Sequence, residues 1–270
     1  MTRAPLPMPV RVLVKGASTV SWTSFMGGPR SDFTFPRAAE VELLRAGYPV
    51  QMQVHSVPAE LTRTNLKTWQ QDAGGWAPDV VVLSYGHAEC VHLLLPLWLQ
   101  RHVHGMTSRR GPVRDVYRRQ VLDRGWRLLT RVQQKVDGAL PASVAKRRIR
   151  RVTSDYGQLL KRLQSLASPL IIVVEIPRPS PTWQKWFPGM TDRVDLMNAS
   201  LAQLVASIDK PDVRFFEVAP VLAESWARGE DPCADGAHFT PSVHREIGAR
   251  LGREILAWAE AQEHLNPPRG

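Results

Sequence analysis

DVVVLSYGHAEC (residues 79–90) decides the fold. Its first half is an apolar, β-branched run without a polar interruption, the pattern of a strand buried on both faces as in a parallel sheet. Its second half breaks into Gly, His and Glu. Toward the N-terminus, VQMQV (50–54) and VRVLV (10–14) repeat the strand pattern, the latter followed by a Gly/Ser-rich loop and a helix around Arg37–Arg45 that Gly47 ends. A further helix falls near Ala59–Gln71. Toward the C-terminus, LIIVVEI (170–176) and VRFFEV (213–218) supply a fourth and fifth strand, and a helix from about Pro241 to Glu263 closes the chain. Strands separated by helices imply parallel pairing through right-handed crossovers, hence a three-layer α/β domain with five parallel strands. In such sheets chemistry collects at the carboxyl ends of the strands.

The interval between the third and fourth strands is too long for one crossover helix. Val113, Val116, Tyr117, Val121, Leu128, Leu129, Val132 and Val136 recur at helical spacing, and a second pattern runs through Val152, Tyr156, Leu159, Leu160, Leu163 and Leu166. Gly138 and Pro141 separate the two. The expectation is a helical hairpin, residues 105–168, inserted on or capping a single domain that spans 1–270.

The net charge of +10 resides in this interval. Residues 101–151 hold 15 Lys and Arg against the acids Asp115, Asp123 and Asp137, whereas the rest of the chain holds 20 basic and 22 acidic residues. Such local basicity argues against a protein that coats nucleic acid generally and for one positive surface, with Arg147, Arg148, Arg150 and Arg151 as its candidate patch for an anionic partner. An anionic glycan, a phosphate-bearing carrier, an acidic lipid surface and RNA all fit, so peripheral membrane or nucleic-acid contact through residues 101–151 is open.

Two hundred and seventy residues at 43% hydrophobic and 22% charged suffice for a sizeable core and exclude general disorder. The longest apolar stretch, Val91–Leu99 with His92 and Pro96 inside it, falls short of the ~20 residues of a membrane-spanning helix. The first residues lack the charged and apolar regions of a secretory signal, which makes the cytoplasm the expected location. Cys90 and Cys233 then read as free thiols, and the Asn198-Ala199-Ser200 sequon carries little meaning. His87, His92, His102 and His104 show no recognised metal spacing, so no metal is expected. Trp98 and Trp126 read as core or interface packing.

Three segments stand at strand ends. KGASTVSW (15–22) follows the first strand and places Ser18 in a Gly-Ala turn; SYGHAEC (84–90) follows the third; DPCADGAHFTPSVH (231–244) follows the fifth and holds Asp235 three residues before His238. A hydroxyl, a base to take its proton and a carboxylate to hold the imidazole are what acyl transfer through a serine requires. Taken singly, Ser18 is also a common turn or helix-cap residue and Asp235 a common turn former. A rival pattern, H-x-E followed by P-C-x-x-C, would make a zinc deaminase of His87-Ala88-Glu89 and Pro232-Cys233. Gly236 stands where its second cysteine is needed, which removes a ligand.

With GAS (16–18), YGHAE (85–89) and DGAHFTPSVH (235–244) in this order, the chain resembles the SGNH (GDSL-type) serine hydrolases. The resemblance implies a flavodoxin-like sheet, hydrolysis of an ester or O-acyl group without cofactor or metal, Ser18 as nucleophile, His238 as base and Asp235 as its orienter. The expected substrate is a small-molecule or glycan ester, anionic if the basic segment meets it. The same acyl-enzyme could serve an O-acyltransferase, and loss of activity would leave a binding protein. The chain departs from the family at Ala17, where Asp is usual, and at Ala88 and Glu89, where the family has an Asn that donates to the oxyanion and an Asp. Losing one such donor lowers the rate ~100- to 1000-fold. Ser56, Gly86 and His87 are the substitute candidates for the oxyanion hole.

Overall fold

The structure, a computed structural model, describes residues 8–24, 33–91, 93, 94, 96, 98–100, 102, 111–166 and 169–265. His92, His104, the basic residues of 103–110 and Arg101 lie outside them, as do the side chains of Val113 and Trp126.

Five parallel strands form one sheet: β1 (Val10–Gly16), β2 (Val50–Ser56), β3 (Val80–Ser84), β4 (Leu170–Val174) and β5 (Val213–Phe216), in the order β2-β1-β3-β4-β5. The reversal of direction at β1 and β3 is the doubly wound arrangement whose crevice lies at the carboxyl ends of those strands. Register brings Gly16 beside both Ser56 and Ser84, so the three strand ends are level. Strand residues of alternate parity feed two cores. Val12, Val14, Val80, Val82 and Ile172 pack under α2 (Phe35–Arg45), α10 (Ala219–Ala227) and α11 (Pro241–Glu260). Leu13, Val81, Leu83, Ile171 and Val173 pack under α3 (Thr62–Trp69), α7 (Ala142–Gln164) and α9 (Met190–Ile208). This is the flavodoxin-like three-layer fold expected from the sequence.

Element ends differ where local chemistry overrides periodicity. The second predicted helix starts at Thr62, not Ala59, because Ala59 takes a positive φ of 53° in the turn after Pro58. The last helix stops at Glu260, and Glu263–Leu265 forms a separate 3-10 turn. Asn198 of the sequon is buried and used internally: its amide accepts from Ile176 N–H and donates to Ile176 C=O, pinning the segment after β4.

Between β3 and β4 run α4 (His87–Val91), α5 (Pro112–Tyr117), a π-helical stretch (Arg118–Leu122), α6 (Asp123–Val136), a 3-10 turn (Asp137–Ala139) and α7. The two arms of the expected hairpin differ in kind. α7 begins ten residues before the first residue of its apolar pattern, because KRRIRR hides the periodicity there, and it buries Val152, Tyr156, Leu159, Leu160 and Leu163 against the sheet as the crossover helix of the fold. α5 and α6 lie outside that layer.

Candidate active site

β1 ends in Gly16 because the chain must turn against β3: a Cβ there would overlap Val20 and Ser84 C=O. Ala17 N–H donates to Ser84 C=O (3.2 Å), and Ser18 opens α1 (Ser18–Ser21). Its N–H, at the first helical position, has no intrahelical acceptor. Ser56 braces this turn from β2, its hydroxyl donating to Ala17 C=O (2.8 Å) and accepting from Ser21 Oγ (2.7 Å). Ser56 thus reaches the site through its side chain, a role the sequence reading, which looked to its N–H, missed.

The second half of the site comes from the loop before α11. Asp235 Oδ1 accepts from the backbone N–H groups of Ala237 (3.0 Å) and His238 (2.8 Å), so the carboxylate shapes the loop that presents the histidine. Gly236, at φ +91°, is required there: a side chain would be strained and would overlap Trp183. His238 Nδ1 lies 2.8 Å from Asp235 Oδ2, and His238 Nε2 lies 3.0 Å from Ser18 Oγ. A carboxylate only accepts, so Nδ1 carries the proton, and Nε2 is left with the lone pair that accepts from the Ser18 hydroxyl. Partial burial raises the Asp235 pKa, but the backbone N–H groups of His238 and Ala237 and the imidazole outweigh it, and the carboxyl sits below its ordinary range. Asp235 is therefore ionised at neutral pH. The structure brings all three sequence candidates into one hydrogen-bonded chain.

Two fastenings not visible in the sequence hold the halves together. Ser24 N–H donates to Phe239 C=O (3.1 Å). His244, fully buried on α11, donates from Nε2 to Trp22 C=O (2.9 Å) and accepts at Nδ1 from Phe35 N–H (3.1 Å). Burial pushes its pKa down to about 4, against the pull of the Trp22 carbonyl. Held in this way, the Trp22 ring lies 5.5 Å from that of His238.

The third segment closes the site. Gly86 precedes α4 and accepts at its carbonyl from Cys90 N–H (3.1 Å). His87, the first residue of α4, is half-buried, its ring 5.7 Å from that of Trp183. Burial, with His238 nearby, lowers its pKa to about 4, so the ring is neutral and keeps one N–H to donate. Glu89, which stands at the family's Asp position, turns away: its Oε1 accepts from Thr62 N–H (2.7 Å) at the start of α3. Burial raises its pKa against that bond. Ala88 is buried and offers no polar group.

The far end of α4 is tied to α6 and α9. Gln133 accepts from Leu94 N–H (3.1 Å) and donates to Val91 C=O and to Asp137 (3.1 Å). Asp137 accepts from Gly189 N–H (2.8 Å) and pairs, fully buried, with Arg193 (3.0 Å), whose Nε donates to Cys90 C=O (2.7 Å). Behind the turn, Lys15 is buried and neutralised by Asp72.

The candidate patch is corrected at one position. Arg147, Arg150 and Arg151 are exposed. Arg148 points inward: it donates to Leu93 C=O (2.9 Å) and burial lowers its pKa, eased by the Glu89 carboxylate. Four basic residues within five positions around buried Ile149 cannot all face outward on a helix, whose spacing turns one of them toward the core. Cys90 and Cys233 are both buried free thiols. A cavity of about 400 Å³, lined in part by Pro177, Ser180, Leu222, Trp226 and Cys233, adjoins the loop just before Asp235.

The five-stranded α/β fold is shared with solved proteins named as esterases and an acylhydrolase. A carbohydrate acetylesterase from Sinorhizobium meliloti matches with a TM-score of 0.56 at 14% identity, over 92% of this chain and 99% of that one. The lipase/acylhydrolase from Enterococcus faecalis matches with a TM-score of 0.58 at 15% identity, over 97% and 100%. The native M. smegmatis aryl esterase matches with a TM-score of 0.53 at 16% identity, over 92% and 98%. At these identities the likeness shows the fold alone. No protein-family model matches the sequence, and no curated protein matches it either.

Proposed function

We propose that this chain is a serine hydrolase that cleaves an ester or O-acyl group through an acyl-enzyme on Ser18. The observation that carries the reading is the chain Ser18 Oγ to His238 Nε2 (3.0 Å), His238 Nδ1 to Asp235 Oδ2 (2.8 Å), assembled at the sheet's switch point. As Ser18 Oγ bonds to the substrate's carbonyl carbon, its proton passes to Nε2, and the carbonyl oxygen takes the negative charge. Ionised Asp235 stabilises the resulting imidazolium. The tetrahedral intermediate collapses by breaking the ester C–O bond, and Nε2 returns the proton to the departing alcohol. Water then repeats the cycle against the acyl-serine, giving the acid and free Ser18.

The oxyanion is met by Ser18 N–H at the start of α1 and, in this reading, by the N–H of the neutral His87 ring, with Gly86 and Ser56 holding the neighbouring backbone. His87 thus takes the place of the Asn that Ala88 displaced. The comparison proteins, named as a carbohydrate acetylesterase and an aryl esterase, support a small-molecule or glycan ester as substrate.

A fluorophosphonate probe tests the reading. Wild-type protein should gain one phosphonyl group on Ser18 by peptide mass spectrometry, and Ser18→Ala should gain none there while losing hydrolysis of p-nitrophenyl acetate. An unlabelled Ser18 in folded protein sinks the proposal. Faster turnover on adding an acceptor alcohol would reassign the chain as an O-acyltransferase.

A further inference from the structure

The α5–α6 arm carries an apolar face that the other described residues leave uncovered. Val121, Leu128, Val132 and Val136 are 53%, 63%, 44% and 36% exposed. At about 100° per residue Leu128, Val132 and Val136 fall within a sector of roughly 80°, so they form one ridge along α6, with Val121 of the preceding turn beside it. Tyr117 and Trp98, the latter 63% exposed although its type suits packing, extend the apolar surface at the arm's other end. Immediately beside the ridge, Arg124, Arg127, Arg131 and Lys135 form an exposed basic row. On the ridge's other flank, Leu122, Gln133 and Asp137 are buried, and the Gln133–Asp137–Arg193 network fixes the arm's rotation. The ridge therefore cannot roll inward to hide itself.

We infer that this arm docks the protein on an anionic lipid surface, the apolar ridge entering the headgroup region and the basic row pairing with acidic headgroups. Both features are needed by that occupant and by no simpler one. A second copy would bring the same basic row against this one and be repelled. A nucleic acid would use the basic row and leave four apolar side chains facing phosphate. An interfacial helix requires an apolar stripe next to Lys and Arg, and each is attracted by a different part of the bilayer. Attachment is peripheral, since no helix among the described residues is long and apolar enough to cross a membrane. The inference is independent of the chemistry proposed for Ser18.

Sedimentation with vesicles tests it, using phosphatidylcholine with and without phosphatidylglycerol. The full chain should sediment with the anionic vesicles, weakly or not at all with the neutral ones, and less as salt is raised. Leu128→Glu with Val132→Glu should lower partitioning tenfold or more, since two apolar anchors are replaced by charges that acidic headgroups repel. Arg127→Gln, Arg131→Gln and Lys135→Gln together should do the same and abolish the salt effect. Both variants alter exposed positions, and an unchanged melting temperature shows that they fold. Three results overturn the proposal: no binding to anionic vesicles by folded protein; binding to an RNA oligomer that competes with vesicles and ignores Leu128→Glu/Val132→Glu; or a dimer by light scattering that those two substitutions dissolve.

Discussion

Replacing His244 with glutamine should make the protein less stable at neutral pH and less sensitive to acid. The ring lies in the core with its pKa near 4, against about 6.5 in an unfolded chain. Above 6.5 it is neutral in both states and contributes no pH dependence. As pH falls from 6.5 toward 4, the unfolded chain takes up a proton that the folded protein refuses, so stability drops. At about pH 4.5 the loss from this one ring is about 2–3 kcal/mol. Glutamine cannot titrate and so removes that part of the decline. It also cannot both accept from Phe35 N–H and donate to Trp22 C=O in the ring's geometry, and a buried N–H left unpaired costs about 1–3 kcal/mol. Urea unfolding followed by tryptophan fluorescence, repeated from about pH 7.5 to about 4.5, gives both quantities. The two stability curves should start apart and converge on acidification. Parallel curves would refute the reasoning, because they would mean that the folded protein already accommodates a charged His244.

Asp235→Asn should lower kcat for p-nitrophenyl acetate by about 1,000- to 10,000-fold with the loop intact, since the amide no longer enforces the Nδ1–H tautomer; stopped assays over long times measure it. His87→Ala should lower kcat more than it changes KM, and Ala88→Asn in that background should recover part of the loss by restoring a donor on α4. Arg147→Gln, Arg150→Gln and Arg151→Gln together should raise KM for an anionic aryl ester and leave a neutral one unchanged; equal effects on the two would show that these residues do not meet substrate. Asp137→Asn should cost about 3–5 kcal/mol of stability, because it leaves buried Arg193 without its counter-charge, and differential scanning calorimetry reads the lower melting temperature.

What the sequence disclosed follows the strength of each local signal. β3 and β4 were legible because strands buried on both faces are uninterrupted apolar runs, and LIIVV could be little else; β2, half-exposed at the sheet's edge, showed instead by its Val-Gln-Met-Gln-Val alternation. Ser18 was legible because it stands just beyond the end of β1; Asp235 and His238 lie farther from β5 than the sequence suggested, with α10 between, but a DxxH step just before the last helix places its two members on one turn. The first ten residues of α7 were not, since arginines dominate there and Ile149 alone marks the buried side. Arg148 was misplaced for the same reason: from the sequence, four arginines read as one surface. His244 was missed because its partners are backbone atoms distant in the chain, and nothing in a residue's neighbours reveals a bond to a carbonyl more than 200 positions away; Ser56 was singled out, but not its side-chain bonds to Ala17 C=O and Ser21 Oγ. Where the Glu89 side chain points was not legible either, since its partner is the Thr62 N–H at the start of α3, 27 positions away.

Ser18 and His238 are 220 residues apart in the chain, and that distance bears on when the proposed site can form. While the ribosome has made only the first five strands, Ser18 exists without any partner to take its proton. The missing element is the last one, α11, which packs along α2 with Gly248 and Gly252 pressed against Ala38, Ala39 and Glu42 and sews the Ser18 loop down through Trp22 and Ser24. Contacts of such long range form late, because the loop they close is nearly the whole molecule. An unfinished or C-terminally clipped chain therefore holds a serine that is chemically ordinary. In the proposed mechanism, reactivity at Ser18 would report that the loop carrying His238 has docked against it.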